Sequence, residues 1–361
     1  MSTQKQTNPL APLEPWLNDP EVVEIMVNGH NSVYLERGGK LVEVPTPFRD
    51  DDHVMEAIDA ILTPLGRKVD ESNPFADARL FDNARVNVVI PPISLVGPVI
   101  TIRKFLTSLF SWEDLIGWGT VSEDIVKFLE ACVRARLNIV VAGGVGSGKT
   151  TMLNMIAGMI PADERVITVE NAGELRLPEK LKHLIRMESR PPNLEGKGEV
   201  TIRDLVVNTL RMRPDRIVVG EVRAGEVLDL YQAMNTGHDG TMMTVHASGP
   251  RDVLIRLETM ATMANLSLPL LTVRQMMASA IDLITHQERL RDGTRKILKV
   301  TEVVGMQGDV VMLQDIFEFR QTGIKDGKVT GYHTATGHIP KRLDRIQASG
   351  TEIPMSIFTP S

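Results

Sequence analysis

Residues 143–151 read Gly143, Gly144, Val145, Gly146, Ser147, Gly148, Lys149, Thr150, Thr151, a glycine-rich run that ends on a lysine and two hydroxyl side chains. The pattern G-x-x-x-x-G-K-[ST] lets successive backbone N–H groups converge on one anion, and a helix that opens at the lysine adds its partial positive charge. The chemistry on offer is phosphate binding. Lys149 is placed to reach the β- and γ-phosphates of a nucleoside triphosphate and Thr150 to ligate Mg²⁺, so ATP and Mg²⁺ are the expected ligands.

Hydrolysis asks for carboxylates as well, because something must hold the metal and something must position water. Glu170 with Glu174, and Glu221, each stand at or just beyond the end of an apolar run. Glu221 occupies the place where such a strand commonly ends in aspartate. Its extra methylene suits a carboxylate that orients water as well as one that touches Mg²⁺ through water. The expected metal set is Thr150, Glu174 and Glu221, with the division of labour between the two glutamates left open. His238 and His246 flank Thr241–Val245. Each could donate a hydrogen bond to phosphate or couple the phosphate to a neighbouring domain. A metal site there is not expected, because no further His or Cys cluster lies nearby.

The elements that must carry these residues follow from periodicity. Leu137–Val141 is an apolar run short enough for a buried parallel strand, and Met152–Ala157 beyond the glycines reads as a helix. Arg165–Glu170 and Arg216–Glu221 are two more such strands, with a helix from about Ile202 to Met212 between them. A helix over Glu226–Met234, a strand over Thr241–Val245 and helices over Pro250–Met263 and Val273–Ala280 complete an alternation that implies a parallel sheet with ligands at the carboxyl ends of its strands. Leu283–Leu290 and Lys296–Val300 form a hairpin, and Val310–Phe319 adds a strand. The expected class is therefore α/β, a P-loop core with an antiparallel edge.

Upstream the pattern changes. Asp19-Pro20-Glu21 reads as the start of a short helix through Val23, followed by a meander over residues 24–44 and a helix capped at Asp50–Asp52. Strands at 78–80, 85–90 and 99–103, the first two around a turn at Asp82-Asn83, complete a smaller α+β unit. The expected boundaries are 1–105 for the N-terminal domain, 106–121 for an irregular linker, and 122–361 for the nucleotide-binding domain.

Composition excludes several classes. With 40 Lys plus Arg against 46 Asp plus Glu, the formal charge of −6 argues against a broad nucleic-acid surface. The one cysteine, Cys132, fits a reducing cytoplasm and the apolar face of a helix. Residues 1–9 are polar and lack the apolar core of a signal peptide. The most apolar stretch, Val86–Ile102, is interrupted by three prolines, Asn87 and Gly97, so no direct membrane insertion is expected. Neither Asn-Lys-x-Asp nor Leu-Ser-Gly-Gly-Gln occurs, which sets aside GTPases and transporter cassettes in favour of a RecA-like motor.

Four boxes stand in a recognisable order: Gly143–Thr150, Val169–Leu175, Leu210–Arg223 and Thr236–His246. Together they resemble the secretion ATPase superfamily that serves type II and type IV secretion, type IV pili and archaeal filaments. The likeness is strongest to the tight-adherence (Tad, CpaF-like) pilus ATPases. It extends to Pro20–Gly29, Ala78–Leu80, Arg85–Asn87, Ile90–Pro92, Thr101–Phe105 and Leu313–Phe317. What the resemblance implies is a homohexameric ring of two-domain protomers, in which Arg79, Arg85 and Arg103 approach the phosphates and hydrolysis drives an inner-membrane platform protein from the cytoplasmic side. Asn171 departs from the family pattern, which usually has a second acid there. Two rival functions remain open at this point: a low-turnover ATP-binding assembly scaffold, and a RecA-like nucleic-acid motor.

Overall fold

Buried residues alternate along strands of one half of the chain and run uninterrupted through the central strands of the other, and two different sheets result. The computed structural model describes residues 10–38, 40–80, 84–104, 110–193, 196–264 and 268–360. Two compact units divide near position 110, covering Met1–Leu109 and Phe110–Ser361. The turn expected at Asp82-Asn83 lies outside the described residues.

The first unit opens with a short helix α1 (Glu14–Leu17), then strands β1 (Val22–Asn28), β2 (Val33–Arg37) and β3 (Lys40–Val44). Helix α2 (Asp51–Leu62) follows, with Asp50 accepting from the His53 N–H at 2.8 Å, and then β4 (Phe75–Arg79), β5 (Arg85–Val89) and β6 (Val99–Arg103). The sheet is antiparallel, in the order β3-β2-β1-β6-β5-β4. Its core joins Ile25, Leu35, Val86 and Ile102 to Val54, Ile58 and Ile61 of α2. The helix expected at Asp19-Pro20 is not formed. Asp19 instead closes a turn by accepting from the Glu21 N–H at 2.9 Å, and Val22 enters a strand whose backbone groups pair on both sides, with β2 and with β6. β-Branched Val22 and Val23 suit that pleated environment better than a helical turn.

The second unit begins where an irregular linker was expected. Helix α3 (Trp112–Gly117) is held by a capping box between Ser111 and Asp114, and it buries Leu115. Then come α4 (Glu123–Arg134), β7 (Ile139–Gly143), α5 (Lys149–Ala157), β8 (Val166–Glu170), β9 (Leu184–Glu188), α6 (Ile202–Thr209) and β10 (Arg216–Val219). Helix α7 (Glu226–Asn235), β11 (Met242–His246), α8 (Pro250–Thr262) and α9 (Leu270–Ala280) lead into β12 (Leu283–Arg289), β13 (Arg295–Gln307), β14 (Val310–Lys325), β15 (Lys328–Ala335) and α10 (Leu343–Ala348).

Nine strands form one sheet, β15-β14-β13-β12-β7-β11-β10-β8-β9. From β12 to β9 all pairs are parallel; from β12 to β15 they are antiparallel. Ile139, Val141 and Leu283 point to the face covered by α4, α5 and α10, while Val140, Ala142 and Ile284 point to the face covered by α6–α9. This is a doubly wound sheet with ligand space at its carboxyl ends. Among the described residues no helix is long and apolar enough to cross a membrane.

Candidate functional site

β7 lies at the centre of the sheet, buried along its whole length, and its carboxyl end delivers the chain into the glycine loop. The loop doubles back because Gly146 and Gly148 take φ of +69° and +90°, conformations that side chains oppose. Gly148 leads straight into α5 with no side-chain cap, so the N–H groups of the first turn stay directed at whatever occupies the loop. Val145 forms its exposed tip.

Around this cradle five of the expected side chains converge, Lys149, Thr150, Glu174, Glu221 and His246. Lys149 Nζ donates to the Gly144 carbonyl at 2.8 Å and lies 3.4 Å from His246 Nδ1. His246 ends β11, in register with Gly143, and its Nε2 meets Glu221 Oε1 at 3.0 Å. The other Glu221 oxygen accepts from Arg223 at 2.6 Å. One ring nitrogen of His246 thus faces an ammonium and the other a carboxylate, which selects the neutral tautomer with its proton on Nε2. Burial, and then the charge of Lys149, push the His246 pKa below the usual histidine value, against the upward pull of Glu221.

Thr150 closes the other side. Its hydroxyl donates to Glu174 Oε2 at 3.3 Å, a pair of hard oxygens that suits Mg²⁺. Glu170 does not face the loop. It is buried and accepts from the Leu175 N–H at 2.7 Å, folding the turn that aims Glu174 at Thr150. Burial raises the Glu170 pKa, while the Leu175 N–H and Arg186, 4.0 Å away, draw it back. Gly220 makes room for it, since a Cβ there would stand 3.1 Å from Glu170 Cγ. Asn171 accepts from Ser189 Oγ at 3.1 Å and so ties the acidic turn to the residue after β9.

His238 is not brought to the loop within one chain. It lies before β11 at the amino ends of the strands, where its carbonyl accepts from Thr241 Oγ1, so that a strand length of about 15 Å separates it from His246. Arg79, Arg85 and Arg103 belong to the first unit. There they are successive cross-strand partners, in a row continued by Glu24 and Glu36, so three guanidinium groups share one face.

Sequence reasoning overlooked Arg223, Gln287 and Arg295. Arg223 holds Glu221; Gln287 and Arg295 donate to carbonyls of the glycine loop. A signal existed for Gln287, an uncharged polar residue that closes the buried run 283–287 of β12.

Known proteins resemble the chain across both units. The family model described as "Type II/IV secretion system protein" matches residues 6–337. A putative conjugal transfer protein of Mycobacterium tuberculosis is 34% identical over 304 residues, 82% of this chain and 85% of that one. The type IV secretion system protein VirB11 of Brucella suis is 30% identical over 311 residues, 79% and 86% of the two chains. The pilus retraction motor PilT, solved with bound ADP, shares the fold at a TM-score of 0.57 and 18% identity, over 94% of this chain and 86% of that one. With the glycine loop at the head of a doubly wound sheet and the match running across both units, the chain belongs to the type II/IV secretion system protein family, within the secretion ATPase superfamily.

Proposed function

We propose that the protein is a ring-forming motor that hydrolyses Mg-ATP and passes the resulting domain movement to a pilus or secretion machine of the tight-adherence type. The observation that carries this reading is the convergence of Lys149, Thr150, Glu174, Glu221 and His246 at the carboxyl ends of β7, β8, β10 and β11. Thr150 and Glu174 would hold Mg²⁺, which supplies charge neutralisation on the phosphate oxygens when bound. Glu221, already paired with Arg223 and His246, suits the attacking water better than the metal. Lys149 would exchange the Gly144 carbonyl for phosphate oxygens.

The row Arg79, Arg85 and Arg103 supplies concentrated positive charge suited to the charge that develops in phosphoryl transfer. His238, at the far pole of the sheet, would serve contact with a neighbouring protomer rather than its own loop. A homohexamer working from the cytoplasmic side on an inner-membrane platform protein fits these roles, and the acidic balance of the chain speaks against nucleic acid as the partner.

Phosphate release per protomer, measured against protein concentration in Mg²⁺, tests the ring reading. Activity should climb to a plateau as protomers assemble. Strictly constant activity from a species that sizes as a monomer at every concentration would refute it.

The protonation state of His246 makes a second expectation. Because its pKa is lowered, it stays neutral at pH 7 and gains a proton only below the ordinary value of about 6.5. A proton there would set a third positive charge beside Lys149 and Arg223, repel the Lys149 ammonium and tie Glu221 more tightly. The acid limb of kcat should therefore fall below about pH 6.5, and His246→Gln should flatten it. An unchanged acid limb in that variant would remove His246 from the proton balance.

A further inference from the structure

Three carbonyl groups of the glycine loop have donors that can be named, at Gly144, Gly146 and Ser147. If the N–H groups of such a loop are to face an anion, its peptide planes must turn their oxygens outward, and each oxygen then needs a donor. The Gly144 carbonyl is served from within the loop, by Ser147 Oγ at 2.9 Å and Lys149 Nζ at 2.8 Å. Two further carbonyls draw donors from outside it. Arg295 Nε donates to the Gly146 carbonyl at 3.0 Å, and Gln287 Nε2 to the Ser147 carbonyl at 2.7 Å.

Both donors belong to the antiparallel hairpin β12–β13, well separated from the loop in sequence. Gln287 pairs in register with Gly143, the residue that opens the loop, so hairpin and loop share one frame. The same side chains line Gly148, where a Cβ would stand 3.3 Å from both Gln287 Nε2 and Arg295 Cδ. Gln287 is only 3% exposed, and its Oε1 is buried with no hydrogen-bond partner among the described residues. An orphan buried acceptor destabilises a fold, and a leucine of similar size would carry none. Fold stability alone therefore does not explain an amide at this position; its bond to the loop does.

We propose that Gln287 and Arg295 are positioning residues for the phosphate site. By fixing the peptide planes at Gly146 and Ser147 they hold the loop in its anion-binding form before nucleotide arrives, so that part of the nucleotide affinity is set from the C-terminal hairpin. The proposal rests on the nucleotide-binding reading given above.

Calorimetric titration of the full chain with Mg-ADP tests it, using Gln287→Leu, Arg295→Met and Arg295→Lys beside the parent, with Lys149→Ala as the control for a lost phosphate contact. Thermal midpoints without nucleotide and amide exchange of residues 145–148 are read on the same samples. Gln287→Leu should raise Kd about tenfold and Arg295→Met about threefold, the latter bond being exposed to water. Arg295→Lys should recover much of its loss, midpoints should stay within a few degrees of the parent, and loop amides should exchange faster in the two weakened variants. If the parent binds and both variants bind within about twofold of it, or if affinity falls only in step with the midpoint, the proposal is wrong. A parent that does not bind Mg-ADP at all would instead overturn the nucleotide-binding reading, and the proposal with it.

Discussion

Glu221→Gln should bind ATP as the parent does and lose steady-state turnover by on the order of 10²–10⁴-fold, the range expected when a positioned proton acceptor is removed. Glutamine keeps the size of the side chain and one oxygen, so the loop, Lys149 and Thr150 are undisturbed. It loses the negative charge that Arg223 and His246 now hold at 2.6 and 3.0 Å. A carboxylate fixed by two such partners is pre-organised to orient water, and an amide in its place cannot accept the proton of that water. Filter binding of radiolabelled ATP next to phosphate release reads both quantities. Retained turnover would move the water-positioning role to Glu174. A binding-only scaffold would give a parent already as slow as the variant.

Arg216→Ala should destabilise the second unit by about 3–5 kcal/mol, a midpoint shift on the order of 10 °C for a unit of this size. The Arg216 side chain is fully buried at the amino end of β10. Its Nε meets Glu164 Oε2 at 2.5 Å, and one terminal nitrogen donates both to Glu164 Oε1 at 3.2 Å and to the Val133 carbonyl at 2.7 Å, the latter linking the sheet to α4. Alanine would leave Glu164 in a nearly closed site with Arg136, 3.4 Å away, as its remaining cation among the described residues. The double variant Arg216→Met with Glu164→Leu should recover most of the loss, because a buried pair removed whole leaves no stranded charge. Gly240 adds an independent check. Its φ of +81° and its position against the guanidinium mean that Gly240→Ala would push a methyl group into Arg216, so it should destabilise the same corner. Equal midpoints for parent and Arg216→Ala would show that the pair carries no net stability.

What could be read from the residues alone was local in its physics. The glycines that turn the loop, the apolar run that buries β7 and the helix that follows are neighbours in the chain, and their types suffice to place them. Glu221 and His246 were legible because parallel strands of one sheet carry their carboxyl ends to the same edge. Contacts made across long separations left no such trace. Gln287 meets Ser147 across 140 residues and Arg216 meets Glu164 across 52, and neither pair has a spacing that periodicity detects. Strand β9 escaped because as an edge strand it is only half-buried and mixes Arg186 and Glu188 with apolar residues. The misplaced helix at Asp19-Pro20 came from a cap signal that also begins a turn; pairing of Val22–Val27 with strands on both sides decided the outcome. His238 stands in the same box as His246, yet a whole strand lies between them, and proximity in sequence did not translate into proximity in space.

Phosphate release from Mg-ATP by the purified full chain, with Lys149→Ala as the reference, bears most directly on the site. If residues 143–150 form the phosphate cradle of a working ATPase, release should be measurable in the parent and absent from the variant. Release that persists at the parental rate in Lys149→Ala would place the chemistry elsewhere and contradict the site described.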